Sequence, residues 1–381
     1  MVLLAYGIIV TLFWVGLTVF VLYNKEQIQY LCSIDLSNTP EEPVVIIIAV
    51  RNEEEHLANA LQSVCKLSYT NYRLLLINDR STDGTAVIMQ SFQQQYPHIE
   101  ILQIDTLPKG WLGKNHALYQ GYLHTSEKWM LFTDADVVFA PDSLVKAMQY
   151  ATSRNIDHLT ILPEVESRSK WLNSILATFV ILLEAKQRPW ALSNPKSSAF
   201  LGIGAFNLIN RDAYQKIGTH KAFALRPDDD LMLGKRIKES GLKQDALYGE
   251  GMIGLEWYTS VKEFINGLMK NTFTAFRYNF LIMVVAGLIP TLLLFVLPLP
   301  LLFLFGDGME RAMALFILLA QIILFSFNKG NHSKWWYAFM EPVAGAILAY
   351  ILVRASFLAI KQKGIYWRES FYSLDELKKG F

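Results

Sequence analysis

Long uncharged runs near the two ends of the chain bracket a middle in which short apolar blocks alternate with amphipathic ones. Residues 3–23 carry no charge. At ~1.5 Å per residue they reach across a hydrocarbon core of about 30 Å. No Lys or Arg precedes them, and Asn24-Lys25-Glu26 follows in place of a small-residue cleavage site. The pattern therefore predicts a retained anchor rather than a cleaved signal peptide. Three more apolar stretches lie in the C-terminal third. Residues 280–305 are uncharged but contain Pro290, Pro298 and Pro300, which predicts a kinked or broken helix. Residues 312–327 are marginal in length, and residues 338–360 carry Glu341 near one end and Arg354 inside. The expected plan is a transmembrane anchor over 1–23, a globular domain with interfacial helices over 24–279, a transmembrane region of three spans over 280–360, and a tail over 361–381.

Within the middle, Val44–Val50 is a continuous, mostly β-branched run, the pattern of a strand buried on both faces. Asn52, with Glu55 three residues on, marks a helix start, and that helix should run to about residue 66. A second apolar strand covers 73–77 and ends in Asn78-Asp79. After a loop at 81–84 come a helix over Thr85–Gln95, a strand over Ile99–Ile104, a helix over 114–125 and a strand over 129–132. Repeated β-α-β units with short connections predict an α/β fold with a doubly wound, mostly parallel sheet. Ligands of such sheets bind beyond the carboxyl ends of the strands. Arg51, Asn52, Asp79, Asp83, Asp134 and Asp136 all fall at those ends.

Composition sharpens the picture. Of 381 residues, 52% are hydrophobic and 18% charged, against about 25% charged in soluble domains. A disordered chain and a disulfide scaffold are excluded. A net charge of +1 gives no basic field for nucleic acid. Cys32 and Cys65 cannot form a framework and fit a reducing compartment. Lys25, Lys262, Lys270 and Arg277 flank the apolar runs on the globular side, which places that side in the cytoplasm and the protein in the cell membrane. Three C-terminal spans would then put the tail outside, yet it holds Lys361, Lys363, Arg368, Lys378 and Lys379. The conflict requires one stretch to be re-entrant or to cross twice.

Four motifs carry candidate chemistry. Asp134-Ala135-Asp136 follows an apolar strand; two carboxylates two apart in extended backbone point the same way. They repel unless a cation lies between them, and Mg²⁺ or Mn²⁺ bridging a diphosphate would supply it. The alternative is a capped turn. Residues 78–85 follow a buried strand: Asp79 could accept hydrogen bonds from a base or ribose, whereas Asp83 reads better as a helix cap. Lys109-Gly110-Trp111-Leu112-Gly113-Lys114-Asn115-His116 lacks the Walker spacing, but its lysines could face phosphates; the alternative is a solvated turn. Asp228-Asp229-Asp230 precedes a helical pattern and could either favour the helix N-terminus or supply a general base. Residues 171–184 and 261–278 suggest helices lying at a membrane interface, or plain core packing. There is no zinc signature and no nucleophile elbow.

Taken in order, Val50-Arg51-Asn52-Glu53-Glu54, residues 78–85, 109–116 and 133–137, and Asp229-Asp230 resemble the membrane-bound family-2 glycosyltransferases. The Lys-Gly-Trp-Leu-Gly-Lys loop is similar, more narrowly, to the branch linked to carotenoid and hopanoid glycosylation. The resemblance implies a GT-A fold, a nucleotide-sugar donor such as a UDP-sugar, a divalent metal and an inverting mechanism. It makes Arg51, Asn52, Glu53, Asp79, Lys109, Trp111, Lys114 and Asp134 candidate donor-binding residues and Asp134 and Asp136 candidate metal ligands. Asp229 and Asp230 become candidate catalytic residues, with Asp230 the base. Two departures stand out. Glu256-Trp257-Tyr258 places a carboxylate where related enzymes often carry an arginine, and the Gln-x-x-Arg-Trp mark of processive synthases is absent. The expectation is single-sugar transfer to a lipid-like acceptor, with no nucleic-acid partner. A non-catalytic nucleotide-sugar-binding protein and a polysaccharide synthase are the alternatives.

Overall fold

The computed structural model describes residues 1–36, 42–330, 332–367 and 370–380, and side chains there other than those of residues 270, 271 and 367. Arg368 of the predicted basic tail lies outside the described residues. The strands are β1 (Val44–Val50), β2 (Tyr72–Asp79), β3 (Ile99–Ile104), β4 (Trp129–Thr133), β5 (Val138–Phe139), β6 (His158–Leu162), β7 (Glu164–Val165), β8 (Asn207–Asn210), β9 (Gln244–Tyr248) and β10 (Ile253–Leu255). Seven form the central sheet in the order β3-β2-β1-β4-β8-β6-β9. All its pairs are parallel except those made by β8, which runs antiparallel between β4 and β6. Strands β5, β10 and β7 make a small second sheet.

The unbroken apolar run of β1 has a direct cause. Val44, Ile46, Ile48 and Val50 face one core with Leu57, Leu61 and Val64 of the following helix. Val45 and Ile47 face a second core with Ala117 and Leu118. A strand covered on both faces has no polar side to alternate with.

The predicted strand and helix sequence holds through Thr133, with one local difference. The first helix is Leu57–Val64, not a helix begun at Asn52. Asn52 takes a left-handed conformation (φ 52°), and its Oδ1 accepts from the Thr82 amide at 2.8 Å. It ties two strand-end loops together rather than capping a helix. Asp83 joins the same tie, accepting from the Thr85 amide at 3.1 Å and the Glu54 amide at 3.2 Å.

Among the described residues, Val2–Lys25, Gly308–Phe327 and Trp335–Gln362 are long and apolar enough to cross a membrane. Residues 280–305 form the expected broken helix: π-turns at Val284–Leu288 and Leu292–Val296 interrupt it. Pro290 cannot donate to the carbonyl of residue 286, so the ladder rearranges around it. The Val2–Lys25 and Gly308–Phe327 helices run side by side in the same direction: Thr18 Oγ1 donates to the Ala320 carbonyl at 3.2 Å and Lys25 Nζ to Asn328 Oδ1 at 2.6 Å. Residues 280–305 therefore lead away from the domain and Gly308–Phe327 leads back. The third stretch begins beside Phe325, where Tyr337 stacks edge-on. Near its far end Ala359 packs in one cluster with Leu112 of the globular domain. Between those ends Thr178 donates to Glu341 at 2.7 Å and Arg354 to Asn266 at 2.8 Å. Both halves of this helix thus contact the globular domain, through Glu341 and through Arg354 and Ala359, and the tail emerges beside it.

Candidate active site

The site forms where β2, β1 and β4 end side by side. Val50 of β1 pairs with Asn78 and Ile48 with Thr133, so the residues after each strand open onto one rim. Arg51, Glu53, Asp79, Lys114, Asp134, Asp136, Asp229 and Asp230 line a single cavity of about 920 Å³. Parallel alignment brings the three strand ends together; the Gly113–Leu123 helix delivers Lys114 and the Asp229–Glu239 helix delivers the acidic pair.

Lys114 is the hub. Its Nζ lies 2.6 Å from Asp134 Oδ1 and 3.9 Å from Asp229 Oδ2. Burial opposes its charge, but Asp134, Asp229 and Asp230 together hold it protonated well above the ordinary lysine range. The two adjacent aspartates diverge. Burial alone would raise Asp229; the Lys114 ammonium overcomes it and holds that carboxyl below the usual range. His220, which burial keeps neutral, stands 3.8 Å from Asp229. Asp230 is pushed up to about 7, by burial and then by the neighbouring Asp229 charge. Its Oδ1 accepts from the Leu231 amide at 2.7 Å and its Oδ2 from the Gly204 amide at 2.9 Å.

Residues 45–218 match the family model described as Glycosyl transferase family 2. The chain carries a family-2 glycosyltransferase domain. Among curated relatives, 4,4'-diaponeurosporenoate glycosyltransferase of Staphylococcus aureus strains MRSA252 and USA300 is 24% identical over 223 residues, 58% of this chain. The match also spans 58% of those relatives' own length. Mannosyltransferase PcManGT from Pyrobaculum calidifontis, solved with GDP-Man and Mn2+, has a TM-score of 0.58 at 16% identity, covering 94% of this chain and 98% of that one. That likeness is one of fold, and the mostly parallel sheet with its flanking helices is the expected GT-A architecture.

Three sequence candidates of the family-2 domain do not line the cavity. Asn52 is the loop tie already described. Lys109 is exposed to solvent. Trp111 stacks on Tyr119, centroids 5.2 Å apart and planes 22° apart. Asp79 does line it, with its carboxylate held by Arg80 at 2.7 and 3.0 Å. Glu256 lines the cavity too, 4.0 Å from the exposed Arg168. Sequence reasoning missed Gly202 and Gly204. A Cβ on Gly204 would lie 2.4 Å from Asp134 Oδ2, and one on Gly202 only 2.0 Å from the Asp230 carbonyl. The Gly-x-Gly spacing ahead of β8 was the available signal.

Asp134 and Asp136 offer two carboxylates to a divalent ion. Asp136 is pushed up to about 6, by burial and then by the charges of Asp134 and Glu53. Among the described residues no three His, Cys, Asp or Glu side chains form a complete metal cage. Mg²⁺ and Mn²⁺ commonly take one or two carboxylates and fill their shells with water and phosphate oxygens. The donor set therefore suits an ion that arrives with a diphosphate, which would also relieve the repulsion on Asp136.

The cavity has a second, apolar arm. Leu183, Leu268, Phe276, Pro290, Phe295 and Ile351 line it, drawn from the Lys170–Gln187, Val261–Thr272 and Trp335–Gln362 helices, the Thr274–Phe276 turn and the broken run that follows it. The carboxylate rim opens directly into this arm.

Proposed function

We propose that the chain transfers a single sugar, with inversion, from a nucleotide-sugar donor to the hydroxyl or carboxyl oxygen of a lipid-like acceptor at the membrane face. One observation carries this reading: a single cavity joins a carboxylate-lysine rim to an apolar arm walled by helices at the membrane-facing end of the domain. The diaponeurosporenoate relatives support the lipid class of the acceptor. The donor is a nucleoside-diphosphate sugar, with a UDP-sugar the first to try.

Asp134 and Asp136 would hold a divalent ion, Mn²⁺ or Mg²⁺, which supplies charge neutralisation for the departing diphosphate. Lys114 adds a fixed cation at the same rim. The acceptor lies in the apolar arm with its oxygen at Asp230. A hydroxyl acceptor gives its proton to the Asp230 carboxylate while its oxygen attacks the anomeric carbon from the face opposite the diphosphate. The bond from that carbon to the diphosphate oxygen breaks, and nucleoside diphosphate leaves with the electron pair. Asp229, tied to Lys114, stays ionised and orients the lysine.

We place the domain and the tail on one face of the cell membrane, the cytoplasmic one by the positions of Lys25, Lys262, Arg277, Lys361 and Lys378. In this reading residues 1–23 anchor the chain, 24–279 form the catalytic domain, 280–360 the membrane region and 361–381 the tail. The Trp335–Gln362 helix lies along the membrane face, so residues 280–305 and Gly308–Phe327 cross out and back and the charge conflict disappears. The test is transfer of hexose from UDP- and GDP-sugars into membrane lipid extract with Mn²⁺, read by mass spectrometry. A hexose-sized mass shift that is lost in Asp230→Asn is expected. Donor binding without transfer or hydrolysis under any donor would overturn the proposal in favour of a non-catalytic binder, the reading that Glu256 in the cavity wall favours.

A further inference from the structure

The segment after the last apolar helix is not a free tail. Gly364–Trp367 and Ser370–Ser373 pair antiparallel. Ile365, Tyr372, Leu374 and Leu377 pack in one apolar cluster with Leu107, Leu112 and Leu225 of the globular domain. This lays the hairpin across the N-terminal end of the Gly113–Leu123 helix, beside the end of β2. Tyr372 is 6% exposed. Its hydroxyl stands beside the Gly113 amide, the Ser370 hydroxyl, Asp79 and Arg80. Arg51 Nη1 in turn donates to Ser370 Oγ at 3.5 Å. The packing at this corner is tight: a Cβ on Gly113 would lie 2.5 Å from Asp79 Oδ2 and 2.9 Å from Arg80 Nη2. Tyr372 lines the same cavity as Arg51, Asp79, Asp134 and Asp136.

We infer that this hairpin is the outer wall of the nucleoside end of the donor pocket, and that Tyr372 is a positioning residue for a nucleoside diphosphate. The inference rests on the transferase reading above. Strand order decides the direction. With β2, β1 and β4 adjacent, Asp79 lies across Arg51 from Asp134. A donor with its diphosphate at Asp134 and Asp136 therefore extends its nucleoside toward β2, where the hairpin stands. Tyr372 offers what such a group needs. Its ring is a flat apolar wall. Its hydroxyl can both donate and accept, so it can give a hydrogen bond to a ribose or base oxygen. The Arg51–Ser370 contact ties the wall to the end of β1. A segment more than 230 residues away in sequence from Asp134 thus completes the site, and motif spacing alone offers no route to it.

The test uses the full-length chain in detergent, with UDP and GDP as probes in the presence of Mn²⁺. Tyr372→Phe keeps the ring and loses the hydroxyl. It should raise the Kd for the preferred nucleotide by about 3–10-fold, the worth of one neutral hydrogen bond. Donor KM should rise while kcat stays within about twofold, a split that a purely structural loss would not give. Tyr372→Ala should weaken binding further. In the unaltered chain, nucleotide should slow amide exchange across Gly364–Trp367 and Ser370–Ser373. Unchanged Kd in both variants, or a hairpin whose exchange ignores bound nucleotide, overturns the inference while leaving the transferase reading intact. If the unaltered chain binds neither nucleotide, the transferase reading falls and this inference falls with it.

Discussion

Replacing Asp230 by Asn should separate activity from stability. Asp230 is pushed from 3.8 up to about 7. A shift of roughly three units corresponds to about 4 kcal/mol by which the folded state disfavours the ionised carboxylate. The folded carboxyl holds its proton to a higher pH than the unfolded one. Its contribution is therefore fully present below the unfolded value and is lost as pH rises through about 7, so the native chain loses stability over that window. Asn cannot ionise and escapes the loss. It also has one oxygen where two amides donate, from Leu231 at 2.7 Å and Gly204 at 2.9 Å. One amide then faces an NH₂ group, which costs about 1–3 kcal/mol.

The two effects leave Asp230→Asn as stable as the native chain at pH 8, or more stable by up to ~3 kcal/mol. About 2–3 kcal/mol of the difference between the two chains should develop between pH 5 and pH 8. Loss of a general base should lower kcat by about 10²–10⁴-fold. The assays are thermal unfolding in detergent at the two pH values, beside sugar transfer under saturating donor. A variant that is less stable at pH 8 than at pH 5 relative to native, or one that keeps its rate, refutes the reasoning about this carboxylate.

Gly204→Ala should put a methyl 2.4 Å from Asp134 Oδ2 and 3.3 Å from Lys114 Nζ; a displacement of this kind should lower kcat/KM by about 10–100-fold, and a native rate in steady-state assays would count against the packing argument. Lys25 and Glu184 pair at 1% and 3% exposure. Lys25→Met should cost about 3–5 kcal/mol because it strands a buried carboxylate, while Lys25→Met with Glu184→Leu should recover most of that loss in thermal unfolding. Chelation by EDTA should abolish transfer, and Mn²⁺ should restore it in the native chain but not in Asp136→Ala; EDTA-resistant turnover would remove the metal from the mechanism. In a background without Cys32 and Cys65, cysteines placed at Glu26 and Lys378 should react with an impermeant maleimide from the same side of sealed vesicles, and labelling from opposite sides would reinstate an odd number of C-terminal crossings.

Much of the domain was legible because burial on both faces leaves a plain mark. The Val44–Val50 run, the Thr85–Gln95 helix and the Ile99–Ile104 strand fall where hydrophobic pattern puts them. The carboxylates at β2 and β4 were legible for a topological reason: parallel neighbours end on the same edge. What failed to show is directional. Asn52 has the chemistry of a helix cap, but at φ 52° it uses its amide on the Thr82 loop instead. Lys109 and Trp111 lie in the loop before the Gly113–Leu123 helix, and only Lys114, in that helix's first turn, lines the cavity. Spacing reports which residues are neighbours in a loop, not which way the loop faces. Hydropathy has the same blind spot. It measures the length of the Trp335–Gln362 helix correctly, while its contacts with the globular domain depend on Glu341, Arg354 and Ala359 finding partners there.

Asp229 and Asp230 bring this limit to a point, because in sequence they are interchangeable. Consecutive residues of a helix differ by about 100° in direction. That rotation is enough to aim Asp229 at Lys114 and His220, and Asp230 at Gly204. The lysine holds one carboxyl ionised; burial and the first carboxyl's charge make the other reluctant to ionise. A pair pushed apart in this way separates a fixed charge from a proton acceptor poised near neutrality. The proposal that Asp230 is the base thus rests on the rotation of one helix step and on the lysine opposite. Lys114→Met should weaken it from the other side: without that ammonium Asp229 rises toward its buried value, the two carboxyls come to share a proton, and the acid limb of the pH-rate profile should broaden into two steps.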